Sequence, residues 1–196
     1  FEPRYRALIC DALDSRGLIG MAIFQGKRWK QDYYGSPPIC DHVCVGYILR
    51  HERLPDGRYQ ILLQGVCRAK VIRELDHDPY RKAILRPTEA TPPMEIDLEE
   101  RRSRIAQLLG NPMMQRLASV GAIRKLFSRE MPTAVMVDLA ILAVSSAVDD
   151  RYAMLAEPDA QVRADWLESR LKQTLRTLGV ASCFRSGAVK DGFSLN

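Results

Sequence analysis

From Val43 to Leu75 apolar positions alternate with polar or small ones, and a two-residue rhythm is that of a strand. Val43, Val45, Tyr47 and Leu49 fall on one side, and Cys44, Gly46 and Ile48 on the other. Pro55-Asp56-Gly57 then supplies turn chemistry: proline presets φ, aspartate bonds to nearby backbone, and glycine tolerates positive φ. Tyr59, Ile61 and Leu63 share one face of a returning strand. Gly65 marks a bend, and Cys67, Ala69 and Val71 oppose Arg68 and Lys70 in a third strand. The stretch predicts a three-stranded antiparallel meander, a binding scaffold with no catalytic cluster in it.

Before the meander, Tyr5, Leu8, Ile9 and Ala12 recur at helical spacing over Pro3–Asp14, with Pro3 placed near a first turn. Arg16-Gly17 ends that helix and Leu18–Phe24 reads as a strand, followed by a polar loop over Gln25–Pro38. After the meander comes a turn at His77-Asp78-Pro79 and a strand over Tyr80–Arg86. The Pro-punctuated segment Pro87–Pro93 is the boundary at which the rhythm changes from two to 3.6. Asp97–Leu109 predicts a helix stopped by Gly110-Asn111-Pro112, and Met113–Arg129 a less regular helical stretch. Pro132–Val148 predicts a buried helix with Val135, Leu139, Leu142 and Ala143 inward. A longer helix opens at Pro158, with Val162, Trp166, Leu171, Leu175 and Leu178 as its stripe and Gly179 as its stop. The pattern is α+β: a β-rich lobe over residues 1–90, then a helical bundle lobe over 91–196 that ends in a flexible tail from Ser182.

The meander also carries a resemblance. Val45-Gly46-Tyr47-Ile48-Leu49, a charged run, Leu54-Pro55-Asp56-Gly57-Arg58-Tyr59, Leu62-Leu63-Gln64-Gly65 and then Arg68-Ala69-Lys70-Val71 resemble the N-terminal substrate-binding domain of the Lon protease family. The opening Phe1-Glu2-Pro3-Arg4-Tyr5-Arg6-Ala7-Leu8 is similar to that family's helical entry motif, which normally follows a first β-strand. The likeness covers residues 1–87 well and the helical remainder more loosely, through the segments VDLAILAV and DDRYAMLAEPDAQVRADWLESRL. It implies a PUA-like lobe, a twisted antiparallel sheet or pseudo-barrel, then a helical lobe, with a role in gripping polypeptide. Because the first residue is Phe, the first strand is expected to lie in a missing piece of a longer product.

Composition sets outer limits. The 196 residues suffice for one good-sized domain or two small lobes with a hydrophobic core, and 46% hydrophobic with 27% charged residues is ordinary for a soluble protein. The longest apolar run, Ala134–Ala147, is broken by Asp138 and falls short of the about 18 residues a membrane span needs. Five cysteines without disulfide-framework density suit a reducing cytoplasm. A net charge of +5 reads first as a solvated surface and second as a nucleic-acid footprint.

No G-x-x-x-x-G-K-[ST] loop is present to cradle nucleotide phosphates, and no segment resembles the Ser-Lys peptidase domain of full Lon proteases. No catalytic residue and no cofactor are expected. Cys40, His42 and Cys44 alternate as metal ligands would on a strand, but zinc usually takes four ligands in paired spacings and no second pair lies nearby. The better candidate is the loop Lys27-Arg28-Trp29-Lys30 with Tyr33 and Tyr34, which interleaves cations and aromatics. Such side chains grip peptide or stack nucleobases, though Trp29 serves equally as a cap on a barrel end. Arg68 and Lys70, outward on their strand, extend the same candidate surface. The expected function is non-catalytic binding of unfolded or flexible polypeptide, with a protease or ATPase in trans as a further partner. The alternatives are an N-terminal fragment of an ATP-dependent Lon-type protease and a PUA-like nucleic-acid-binding module.

Overall fold

The computed structural model describes residues 3–26, 28–31, 35–76, 79–88, 93–127 and 130–188. The chain divides into two compact units, Phe1–Thr91 and Pro92–Asn196.

In the first unit, helix α1 (Pro3–Leu13) begins with a proline, whose missing N–H is harmless in a first turn. Its inward residues Ile9 and Ala12 are buried with Ile19 and Ile48 of the sheet, and Leu8, Leu13, Tyr59, Ile61 and Leu63 pack around them. The chain leaves the helix at Gly17, which adopts φ +68° and returns its N–H to the carbonyl of Ala12 at 2.8 Å. A Cβ there would stand 2.9 Å from the Tyr47 ring, so both the backbone conformation and the close approach require glycine.

Four antiparallel strands follow in the order β1 (Leu18–Met21), β2 (His42–Arg53), β3 (Tyr59–Leu75) and β4 (Lys82–Pro87). Strand β1 is shorter than the sequence suggests; beyond Met21, Phe24 makes only an isolated bridge to Ile39. The hairpin between β2 and β3 forms at the expected turn. Gly57 takes φ +80°, and the Asp56 carboxylate accepts the Arg58 backbone N–H at 3.0 Å. The larger correction concerns β3: the separate second and third strands of the expected meander are one strand of 17 residues. Gly65 does not end it. Gly65 pairs with Gly46 and Cys67 with Val45, so Val66 is left over as a β-bulge. Leu49 and Ile72 are the extra residues at two more bulges.

Each bulge sharpens the local twist, and three of them coil the sheet. Laid flat, four strands would hold β1 and β4 about 14 Å apart. Instead Leu85 of β4 places its Cδ1 3.7 Å from where a Cβ on Gly20 of β1 would stand. The sheet therefore curls toward a pseudo-barrel. Val43 and Ala69, at 2% and 1% exposure, are buried on the same side as Gly20 and Leu85.

The second unit is helical: α2 (Glu95–Gly110), a 3-10 turn (Met114–Arg116), α3 (Ala118–Phe127), α4 (Thr133–Val144), α5 (Val148–Ala156) and α6 (Ala160–Ala188). Its core joins Ile105 and Leu109 of α2, Val120 and Ile123 of α3, Val137, Ala140 and Ile141 of α4, and Ala164, Leu167 and Leu171 of α6. Several sequence expectations differ from the structure here. The helix expected over Pro132–Val148 ends at Val144, and a separate helix starts at Val148. Its inward face is Thr133, Met136, Val137, Ala140 and Ile141, whereas Val135, Leu139, Leu142 and Ala143 are exposed. Helix α6 runs through Gly179 to Ala188, and its buried apolar positions are Ala160, Ala164, Leu167 and Leu171, with Val162 exposed. The tail expected from Ser182 is helical to that point, and residues 189–196 lie outside the described residues.

Charged side chains fix this apolar bundle at its polar points. Thr133 donates its N–H and hydroxyl to the Glu95 carboxylate at 2.9 and 2.7 Å, which satisfies an otherwise orphaned donor at the start of α4. At the other end, Arg151 donates to the carbonyls of Ser145 and Leu142 at 2.7 and 3.0 Å. Between α2 and α6 run ion pairs of Arg101 to Asp165 at 2.7 Å and Arg104 to Glu168 at 2.9 Å, and within α6 Lys172 joins Glu168 at 2.6 Å. Hydrogen bonds from Lys172 and then Arg104 hold the Glu168 carboxyl below the usual range, and Arg101 does the same for Asp165. A carboxylate whose folded pKa is depressed stabilises the fold above its unfolded value near about 4 and loses that contribution as pH falls through the lower folded value. Acid titration of the helical circular-dichroism signal should therefore show stability falling below about pH 4. Glu168→Gln should flatten that acid limb; a wild-type slope in the variant would remove Glu168 from the account.

Candidate functional site

Strand alternation gives the sheet two kinds of exposed surface. On the side facing away from α1, Leu18 pairs with Tyr47, and Leu49 and Arg50 of the bulge stand opposite Leu62. These four apolar side chains are 44% (Leu18), 45% (Tyr47), 52% (Leu49) and 53% (Leu62) exposed. Cross-strand register makes them neighbours, and exposed Arg50, Gln60 and Gln64 form a polar rim. An apolar centre with a polar rim is the arrangement of a protein-contact surface. Leu18 and Leu62 were not singled out by sequence reasoning. Their signal was there: each alternates with a residue that packs against α1.

A second surface lies on the side of the sheet opposite buried Val43 and Ala69. His42, Lys70 and Arg86 are direct partners across β2, β3 and β4. Arg68 stands two residues from Lys70 on the same side, opposite Cys44, and Arg73 stands opposite Ile84. The structure thus places the two expected cations, Arg68 and Lys70, with Arg86 and Arg73, which the sequence reading left out. Burial pushes the Cys44 thiol up in pKa, and the charge of Arg68 beside it opposes that shift.

Trp29 sits in a 3-10 turn (Arg28–Lys30), half-buried and stacked on Phe24 with ring centroids 5.0 Å apart at 20°. Lys30 holds its Nζ 5.8 Å from the Trp29 ring. Tyr33 and Tyr34 lie outside the described residues. Among the described residues no group of three His, Cys, Asp or Glu side chains is placed to hold a metal ion, the Cys40, His42 and Cys44 set included. No helix among them is long and apolar enough to cross a membrane.

A coiled antiparallel sheet bearing a helix, followed by a helical bundle, defines an α+β fold. Residues 1–173 match the family described as the ATP-dependent protease La (LON) substrate-binding domain, and the chain belongs to that family. The motif resemblance is thereby borne out, and the match extends well into the helical unit. Two solved structures share the fold. The N-terminal domain of Mycobacterium avium complex Lon protease is 16% identical with a TM-score of 0.62, over 88% of this chain and 87% of that one. The Lon N-terminal domain protein from Xanthomonas campestris is 18% identical with a TM-score of 0.52, over 86% of this chain and 85% of that one. No curated protein matches the chain.

Proposed function

We propose that this chain binds exposed polypeptide segments in the cytoplasm and carries out no catalysis of its own. The observation that supports this best is the apolar patch of Leu18, Tyr47, Leu49 and Leu62, uncovered on the sheet of a substrate-binding-domain family member. The mechanism is association: apolar side chains of an unfolded segment cover the patch, releasing about 25 cal/mol per Å² before ordering costs are subtracted. One small patch gives weak binding, and several copies acting together strengthen it. The same grip serves an ATP-dependent protease whether the ATPase and peptidase act in cis or in trans. Trp29, Arg68 and Lys70 are proposed as flanking contacts.

The test is fluorescence anisotropy with a short fluorescein-labelled peptide of Leu, Phe, Gly, Ser and Gln. In the double variant Leu49→Glu/Leu62→Glu, affinity should fall by about tenfold or more, since two half-exposed leucines lose roughly 1 kcal/mol each of further burial. Thermal stability should barely change. A variant that binds this peptide as the wild type does, or a wild type that ignores it while folded, overturns the reading.

A further inference from the structure

In the row His42–Lys70–Arg86, the like charges of Lys70 and Arg86 stand directly opposite one another across β3 and β4. Such pairs destabilise a sheet. Among the described residues, Lys70, Arg73 and Arg86 have no hydrogen-bonded or ionic partner, and all three are exposed. By register, no Asp or Glu of the four strands stands on this side: Glu52 and Glu74 fall on the other, and Glu74 is paired with Arg81 at 2.6 Å. The nearest acid engagement is at the strand end, where Lys82 reaches Asp11 at 3.7 Å. Lys70, Arg73 and Arg86 therefore hold positive charge that no described residue of the first unit neutralises.

We propose that this face selects acidic, extended polypeptide segments, so that the chain prefers clients in which carboxylates alternate with apolar side chains. The proposal rests on the polypeptide-binding reading above and names its client class. Along β4 exposed Ile84 and Arg86 repeat every second residue, about 6.6–6.8 Å, which is the repeat of alternate side chains in an extended peptide laid beside them. Across the strands the charges recur at about 4.8 Å, close enough for one carboxylate to sit between two cations. Met21 and Ile84 share the face and are exposed, so a client also meets apolar contacts between the charges. Nucleic acid fits less well: the one strand aromatic on this side of the sheet, Tyr59, packs against α1, so no strand Phe, Tyr or Trp stands beside Lys70, Arg73 and Arg86 for bases to stack on.

The experiment compares the neutral peptide described above with a sequence in which alternate Gly and Ser positions are Asp or Glu. Both are titrated at low and at physiological salt against wild type and Lys70→Glu/Arg86→Glu, with Lys70→Gln/Arg86→Gln as the milder variant. At low salt the wild type should favour the acidic peptide by about five- to tenfold. That preference should shrink with salt and vanish or invert in the charge-reversed variant, while the neutral peptide binds all three proteins alike. Equal binding of the two peptides by wild type, or a preference that survives both variants, overturns the proposal and leaves polypeptide binding intact. Failure of both peptides to bind overturns both. Tighter binding of single-stranded RNA of matching charge, lost in the charge-reversed variant, overturns it in favour of a nucleic-acid face.

Discussion

Arg163→Ala should destabilise the helical unit by about 3–5 kcal/mol, more than any surface substitution in this chain. The Arg163 side chain is 2% exposed, and its guanidinium connects three elements. Its Nε donates to Asp138 of α4 at 2.9 Å, and its Nη1 donates to the carbonyls of Glu157 and Pro158 at 2.8 and 2.9 Å. Those carbonyls belong to the segment that turns the chain from α5 into α6. Truncation to alanine leaves a cavity, two carbonyls without this donor and a carboxylate facing protein in place of its cation. Removing one member of a buried ion pair is far more damaging than replacing both by apolar groups. Arg163→Lys keeps the charge but not the fork that reaches a carboxylate and two carbonyls together, so it should recover part of the loss. Urea unfolding followed at the helical circular-dichroism band measures this, and a loss under 1 kcal/mol for Arg163→Ala would sink the assignment.

The same polar anchors explain what was legible in the sequence and what was not. Alternation over 43–75 identified strands correctly because polar and apolar side chains take turns there, and the turn at Pro55-Asp56-Gly57 fixed where the hairpin reverses. It misjudged Gly65, since a glycine that ends a strand and a glycine that faces another glycine beside a bulge look alike until the partner strand is known. Lys70 is exposed, as alternation suggests, whereas Arg68 is half-buried with its Nε closed off from solvent, because it lies two residues nearer the bulge beside Cys44. The conjunction with Arg86 did not follow from alternation, because it depends on register between β3 and β4, which the bulge at Ile72 shifts. Most of the family motifs lie in that hairpin, and the opening one lies in α1.

Helix α4 failed for a different reason. Thr133, Ala134, Val135, Met136, Val137, Leu139, Ala140, Ile141, Leu142, Ala143 and Val144 leave Asp138 as the helix's one charge, so the 3.6-residue rhythm has no phase to read. The phase is set from outside, by Glu95 holding Thr133, Arg151 holding the C-terminal carbonyls and Arg163 holding Asp138. Thr133 is wholly buried, and positions four, seven and eight residues on from it are Val137, Ala140 and Ile141, the face that enters the core. A threonine following Pro132 at a helix start was the available clue to that face.

That assignment yields a contrast between adjacent residues. Ile141 is 3% exposed and Leu142 is 53% exposed, although both are large aliphatics in the same turn. Ile141→Ala should cost about 2–4 kcal/mol, the transfer of the lost methylenes plus the void left among Ile105, Leu167 and their neighbours. Leu142→Ala should change stability by no more than about 0.5 kcal/mol, since its side chain is already half in water and the carbonyl that Arg151 holds is backbone. For a unit of this size 1 kcal/mol moves Tm by roughly 4–8 °C, so thermal unfolding separates the two variants cleanly. Equal losses, or a larger loss for Leu142→Ala, would mean that the outer stripe of Val135, Leu139 and Leu142 is covered in solution. The phase assigned to α4 would then be wrong, or a second molecule would be packed against it, which the concentration dependence of Tm distinguishes.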